Sequence, residues 1–268
     1  MKILLVSLNS QYMHVSPAPY CLKAGIKAFS VLPHSVTVYS GNVNEDPAKI
    51  LEAVERESPD LIGFCCYIWN VTLLKALLPA VKEKAPSAFL VFGGPEASFA
   101  AEELLVGCRE LSAVLCGEGE KNFALLADVL EQKRSLSTVP GLCFRKPDGG
   151  FFLSAYEGEG TPPTPDREYV DAVFRKISYL ESSRGCPFTC AFCLSGRCGK
   201  LRFFDLDRVF PAVDALAHSG SKIIKFVDRT FNADKKRAVV VWKYLLSKYG
   251  NDYPTDICFH FELAGELL

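Results

Sequence analysis

Five short β-rich apolar runs alternate with helix-period segments through the first half of the chain, and this alternation constrains the fold more than any other feature. Lys2–Leu8 reads as a strand, and Leu22, Ile26 and Phe29 then recur at helical spacing behind the Pro17 and Pro19 breakers. Ser35–Ser40 is a second strand. Asp46-Pro47 opens a helix carrying Leu51 and Val54, and Leu61–Cys66 is a third strand. Leu73, Leu74, Leu77, Leu78 and Val81 then share one helix face, with Pro79 among them. Strand Phe89–Phe92 runs into Gly93-Gly94-Pro95, a helix carries Leu104 and Leu105, and strand Ala113–Cys116 runs into Gly117-Glu118-Gly119 before a last helix with Phe123, Leu126 and Leu130. Strands joined this way form a parallel sheet with helices on both faces, a doubly wound α/β domain. In such sheets ligands bind beyond the carboxyl ends of the strands, which directs attention to loops 9–16, 67–71, 93–97 and 117–121.

Length and charge set the remaining bounds. A chain of 268 residues suggests about two domains. The net charge of −1 supplies no general basic field, so nucleic acid is not expected as a partner. The charge is unevenly spread: residues 1–175 carry 16 basic and 21 acidic side chains, whereas residues 176–268 carry 14 and 10. The longest apolar stretch, Leu61–Trp69, is far short of the ~20 residues that span a bilayer. The amino terminus lacks a small-residue cleavage site, so a cytoplasmic location is expected. A turn at Lys146-Pro147-Asp148-Gly149-Gly150 joins a short strand pair, Gly141–Arg145 and Phe151–Ser154. The Pro- and Gly-rich run from Glu157 to Asp166 reads as a linker. The resulting layout is an α/β domain at 1–135, a hairpin and linker at 136–175, and a second domain at 176–268.

Eleven cysteines are many for a reducing compartment. Cys21, Cys65, Cys66, Cys108, Cys116, Cys143 and Cys258 lie in apolar contexts, most of them singly, and read as small core hydrophobes. Four others crowd into residues 186–198. Cys186, Cys190 and Cys193 stand at C-x-x-x-C-x-x-C spacing just after the β-rich run Ile177–Ser182. Soft thiolates favour iron–sulfur clusters or zinc. Zinc sites pair C-x-x-C elements or recruit histidine, and no His lies within about twenty residues of Cys193. The spacing favours an open three-thiolate cluster, while Cys198 keeps a four-thiolate zinc site or closed cluster as the alternative.

This cysteine loop resembles the signature of the radical S-adenosylmethionine superfamily, in which it follows the first strand of a partial (β/α) barrel. Phe192 matches the aromatic residue the family carries before the last cysteine. The resemblance implies that Cys186, Cys190 and Cys193 hold three irons of a [4Fe–4S] cluster. The fourth iron would bind S-adenosylmethionine, which one electron cleaves to a 5′-deoxyadenosyl radical. The downstream pattern fits such a barrel: a helix through Val209, Val213 and Leu216, strand Lys222–Val227, a helix through Val239, Trp242 and Leu246, and strand Ile257–Phe261. Asp228, just past the second strand, is a candidate to hold S-adenosylmethionine, with Arg229, Asn232 and Glu262 behind it. Only 93 residues remain from Lys176 onward, against ~250 for a complete barrel, so the chain reads as truncated or minimal.

The first half is similar to the cobalamin-binding domain that a subset of this superfamily carries ahead of the cluster domain. Gly93, Gly94 and Glu96, and Gly117, Glu118 and Gly119, resemble that subset's loops after the fourth and fifth strands. The Asp-x-His-x-x-Gly motif that supplies a lower cobalt ligand in methionine-synthase-type domains is absent. His14 keeps only the histidine, as a candidate contact to cobalamin. The resemblance implies a cobalamin-dependent radical enzyme, with methyl transfer to an unactivated carbon of a small-molecule substrate as the leading reaction. It would draw electrons from a donor such as flavodoxin or ferredoxin. Radical cyclisation or rearrangement is the alternative within the family, and a non-enzymatic iron–sulfur or zinc protein is the alternative outside it.

Overall fold

The computed structural model describes all residues except 157, 159, 198, 199, 251–256 and 268, and the side chains at 196 and 197. Its chain divides into two compact units, one formed mainly by residues 1–12 and 18–158, the other by residues 13–17 and 167–268.

In the first unit, side chains along β1 (Lys2–Asn9) alternate between two cores. Leu4, Val6 and Leu8 enter one core, and Ile3 and Leu5 the other. That division is possible only if both faces of the sheet are covered. Helix α1 (Ala18–Phe29) is followed by β2 (Ser35–Asn42), α2 (Ala48–Glu57), β3 (Leu61–Cys65), α3 (Val71–Lys84) and β4 (Phe89–Gly93). Two short helices, α4 (Pro95–Phe99) and α5 (Ala101–Gly107), precede β5 (Ala113–Leu115) and α6 (Gly119–Glu131). Ile50 and Val54 of α2, and Leu74, Leu78 and Val81 of α3, pack in the first core. Ile26 of α1 and Phe123, Leu126 and Val129 of α6 pack in the second.

The five strands run parallel in the order β2-β1-β3-β4-β5, so strand order reverses between β1 and β3, as in a doubly wound sheet. The expected hairpin, β6 (Leu142–Arg145) and β7 (Phe151–Leu153), does not stand apart. β6 pairs antiparallel with β5 and extends the sheet to seven strands. Cys143 thereby enters the first core.

The second unit begins with α7 (Arg167–Ala172) and β8 (Ile177–Leu180). β9 (Ser183–Arg184) pairs antiparallel with β10 (Arg202–Phe203). Then come α8 (Leu206–His218), β11 (Ile223–Phe226), α9 (Lys235–Tyr249) and β12 (Cys258–His260). β8, β11 and β12 form a parallel sheet in the order β12-β11-β8, the repeating (β/α) arrangement expected of a barrel's first part. Asp205 and Asp234 cap α8 and α9 by accepting from the backbone N–H groups of Asp207 and Arg237.

Four of the cysteines read as core, Cys65, Cys66, Cys108 and Cys143, are buried. Burial pushes the Cys65 and Cys66 thiols up to about 12. Cys21 and Cys116 are half-buried. Cys258 departs from the expectation: it is exposed on β12, which pairs on only one side among the described residues. No described helix is long and apolar enough to cross a membrane.

Candidate functional site

At the carboxyl edge of the first sheet, buried polar side chains stitch the loops to the strand ends. Asn70 donates to the carbonyls of Leu8 at 3.0 Å and Cys65 at 2.9 Å, while its Oδ1 accepts from the Tyr67 N–H at 2.8 Å. One amide therefore ties β1, β3 and the loop after β3 together. Asn9 does the same between β1 and β2, donating to the Gly41 carbonyl at 2.9 Å. Ser98 links the two glycine loops, donating to the Gly94 carbonyl at 2.9 Å and accepting from the Gly117 N–H at 3.1 Å.

Two of the loop glycines, Gly94 and Gly117, are demanded by the chain's own packing. Gly94 has φ +110°, and a Cβ there would lie 2.6 Å from the Cys66 carbonyl oxygen. The ring of Tyr156 packs on Gly117 in the same close manner. Gly93, Glu96 and Glu118 are half-buried, and Gly119 opens α6. These residues surround an edge from which Tyr12, Ile68, Trp69 and Phe99 project exposed apolar surface, from the loops after β1 and β3 and from α4. Tyr67 and Trp69 stack at 4.4 Å, and the Trp69 indole N–H is fixed on the Leu8 carbonyl at 3.1 Å. Exposed aromatic side chains gathered at one sheet edge mark a ligand surface. They suit a broad ligand with an extended apolar face, and the glycine turns keep the neighbouring backbone low. The edge thus fits a corrinoid.

His14 belongs to the second unit. Its backbone forms an isolated bridge to Ile177 of β8, and the Met13 carbonyl accepts from the Ile177 N–H at 2.9 Å. The His14 ring stacks with Tyr179 and its Nδ1 is hydrogen-bonded to the phenol. Burial, followed by the charge of Lys225, lowers its pKa below 6.5.

The cysteine loop leaves β9 and returns at β10, so a two-residue antiparallel ladder closes its base. Gly185 begins the loop at φ +95°, where a Cβ would lie 2.7 Å from the Lys200 carbonyl. A turn with the Cys193 N–H donating to the Cys190 carbonyl at 3.0 Å draws these two residues together. Cys186 and Cys193 are half-buried, Cys190 is exposed, and Phe192 is 94% exposed. Among the described residues, no three His, Cys, Asp or Glu side chains converge on a single metal-ion position. Three soft thiols on one loop suit, by their donor chemistry, the irons of an iron–sulfur cluster. Cys198 lies outside the described residues.

Asp228 differs most from what its place in the sequence suggests. It is 1% exposed. Its carboxylate accepts from the Ser182 N–H at 2.9 Å, the Ser182 hydroxyl at 2.7 Å and the Ser183 hydroxyl. Burial raises its pKa, and the Ser183 and Ser182 hydrogen bonds offset part of that. Arg237 completes the arrangement by donating to the carbonyls of Ser182 at 3.1 Å and Phe204 at 2.6 Å. Asp228 thus positions the strand that launches the cysteines. Asn232 is a tether too, exchanging two 2.9 Å hydrogen bonds with the backbone of Ala264. Arg229 and Glu262 face each other at 3.9 Å and stay exposed. Asn70, Ser98, Ser182 and Arg237 escaped sequence reasoning because each meets a partner distant in the chain: the Leu8 carbonyl, the Gly117 N–H, the Asp228 carboxylate and the Ser182 and Phe204 carbonyls, respectively.

Comparison with known proteins adds independent findings. Residues 22–127 match the B12-binding domain family. The chain is 29% identical over 229 residues to an uncharacterized methyltransferase of Pyrococcus horikoshii, covering 77% of this chain and 48% of the relative. It is 30% identical over 167 residues to the hopanoid C-3 methylase of Methylococcus capsulatus, covering 56% of this chain and 30% of that protein. Among solved structures, the cobalamin-dependent S-adenosylmethionine radical enzyme OxsB superposes with a TM-score of 0.81 at 19% identity over 96% of this chain and 38% of its own. The radical S-adenosylmethionine methyltransferase TsrM from Kitasatospora setae gives 0.72 at 18% identity over 92% of this chain and 51% of its own. The chain thus spans from about a third to about half of the length of these relatives.

Proposed function

We propose that this chain, which fits the cobalamin-binding radical S-adenosylmethionine superfamily, carries the cobalamin and cluster sites of an enzyme that transfers a methyl group to an unactivated carbon. What carries the reading is one chain holding both a B12-binding domain at 22–127 and a three-cysteine loop at the end of the first strand of a (β/α) unit. When bound, the cluster with S-adenosylmethionine and the cobalamin would supply the one-electron chemistry and the methyl group, respectively.

The residues divide the work by chemistry. Cys186, Cys190 and Cys193 would each hold one iron, leaving one corner for S-adenosylmethionine, with exposed Phe192 beside it. Asp228 and Arg237 keep the base of that loop in place. Gly93, Gly94 and Glu96 with Gly117, Glu118 and Gly119 would border the cobalamin. The exposed rings of Tyr12, Trp69 and Phe99 offer it apolar surface. In this reading the first unit serves cobalamin and the second serves the cluster.

The substrate would be a small molecule. The excess of 14 basic over 10 acidic side chains in residues 176–268 suits an acidic electron carrier such as flavodoxin or ferredoxin. The buried, unionised thiols suit a cytoplasmic setting.

Anaerobic reconstitution followed by iron, sulfide and cobalt analysis tests the reading. About four irons and four sulfides with about one cobalt per chain are expected, together with a cluster spectrum that changes on adding S-adenosylmethionine. Cys198→Ala should leave that spectrum intact. Zinc in place of iron, or a cluster lost with Cys198 and indifferent to S-adenosylmethionine, would overturn it. Substrate turnover without incorporation of the methyl group of S-adenosylmethionine would overturn the methyl-transfer part alone.

A further inference from the structure

Thr230 is buried, and its hydroxyl lies 3.3 Å from the sulfur of Cys186. It occupies the N-cap position of the short 3-10 turn Phe231–Ala233, where a threonine hydroxyl ordinarily accepts from a backbone N–H of the turn. Here it caps nothing. The turn is held instead by backbone bonds, from Ala233 N–H to the Thr230 carbonyl at 3.0 Å and from Phe231 N–H to the Glu262 carbonyl at 2.9 Å. The hydroxyl is thereby left to the cysteine. The position is well fixed, because Asp228 two residues earlier clamps Ser182 and Ser183, which lead directly to Cys186.

The direction of the bond follows from the chemistry of ligation. A thiol could donate to the hydroxyl, but a cysteine that holds iron has lost its proton and only accepts. The remaining donor is the Thr230 hydroxyl. We propose that Thr230 donates a hydrogen bond to the Cys186 sulfur and thereby raises the reduction potential of the cluster that this sulfur helps to hold. The inference rests on the reading that Cys186, Cys190 and Cys193 ligate a [4Fe–4S] cluster. Reduction adds negative charge that the cluster shares with its thiolates, so a donated hydrogen bond stabilises the reduced state more than the oxidised one. Thr230 touches a ligand and no reacting atom; it is a tuning residue.

The test is a reductive titration, followed by electron paramagnetic resonance, of the reconstituted chain and of Thr230→Val, Thr230→Ala and Thr230→Ser. Valine replaces the hydroxyl with a methyl group of similar size and leaves no unpaired donor. The valine and alanine variants should titrate at a more negative potential than the parent, and the serine variant, which keeps the hydroxyl, should titrate with the parent. A valine or alanine variant that holds a complete cluster at the parent's potential overturns the proposal, as does a serine variant shifted as far as valine. If neither hydroxyl-free variant keeps its cluster, iron–thiolate stretching bands of the parent that are identical in H2O and D2O overturn it instead. A parent chain that assembles no [4Fe–4S] cluster refutes the proposed function, whereas an intact cluster with unshifted potentials refutes only the role of Thr230.

Discussion

Asp228 accepts both hydrogen bonds that Ser182 can donate, at 2.9 Å from its N–H and 2.7 Å from its hydroxyl. The segment that leaves β11 thereby grips the segment that leaves β8, four residues before Cys186. Replacing Asp228 by alanine strands these donors and the Ser183 hydroxyl in a site that is 1% exposed. The cost should be about 3 kcal/mol. Because the damage lies at the base of the cysteine loop, iron content after reconstitution should fall along with the midpoint of chemical unfolding. A variant with wild-type stability and full iron would show that the clamp is dispensable.

Asn70 should be intolerant of a change that barely alters its shape. Its amide nitrogen donates to two carbonyls, at Leu8 and Cys65. Asn70→Asp puts an acceptor against two acceptors at a buried position, so a loss of about 3 kcal/mol or more is expected. Urea unfolding at pH 7 measures it. Asn70→Ala should be milder than the aspartate, since it leaves unpaired carbonyls without adding a buried charge; the reverse order would refute this account.

Gly94→Ala should unfold the loop after β4 locally and weaken the whole sheet. The backbone conformation there, at φ +110°, costs an L-residue about 1–3 kcal/mol, and the added carbon would lie 2.6 Å from a backbone oxygen that cannot swing away. Amide exchange should accelerate first in residues 94–99 and 116–118, which Ser98 holds together. Faster exchange confined to β2 would contradict the assignment.

His14 should titrate below pH 6.5, since burial and then the Lys225 charge both disfavour its imidazolium. A histidine whose pKa is lower folded than unfolded contributes stability that is full above pH 6.5 and is lost as pH falls through the folded pKa. Lys225→Met should move the proton-resonance midpoint of His14 upward without restoring 6.5, because burial is the larger cause. No change on removing Lys225 would mean that its charge does not reach the ring.

Much of the fold was legible in the chain itself. The strand positions follow from runs such as Lys2–Leu8, whose alternating side chains must serve two cores, and from the glycines that follow Phe89–Phe92 and Ala113–Cys116. The cysteine spacing was equally legible, because three soft ligands within eight residues need no knowledge of distant neighbours. Gly94 could be recognised as a turn from its neighbours, although the cause, the Cys66 carbonyl, could not.

Tertiary structure decided the tasks of the individual polar residues. Asp228 sits in the chain where a cofactor-binding carboxylate would be expected, yet pairing of β8 with β11 brings it to Ser182 and Ser183, whose donors it accepts. His14 follows the first strand of one unit, but its backbone joins β8 of the other. The hairpin 142–153 looked self-contained until β6 paired with β5. Local sequence determines which way a side chain alternates and where a helix can start, because those depend on neighbours a few residues away. Which partner satisfies a buried carboxylate or an edge N–H depends on a strand brought from far along the chain, and only the folded arrangement determines that.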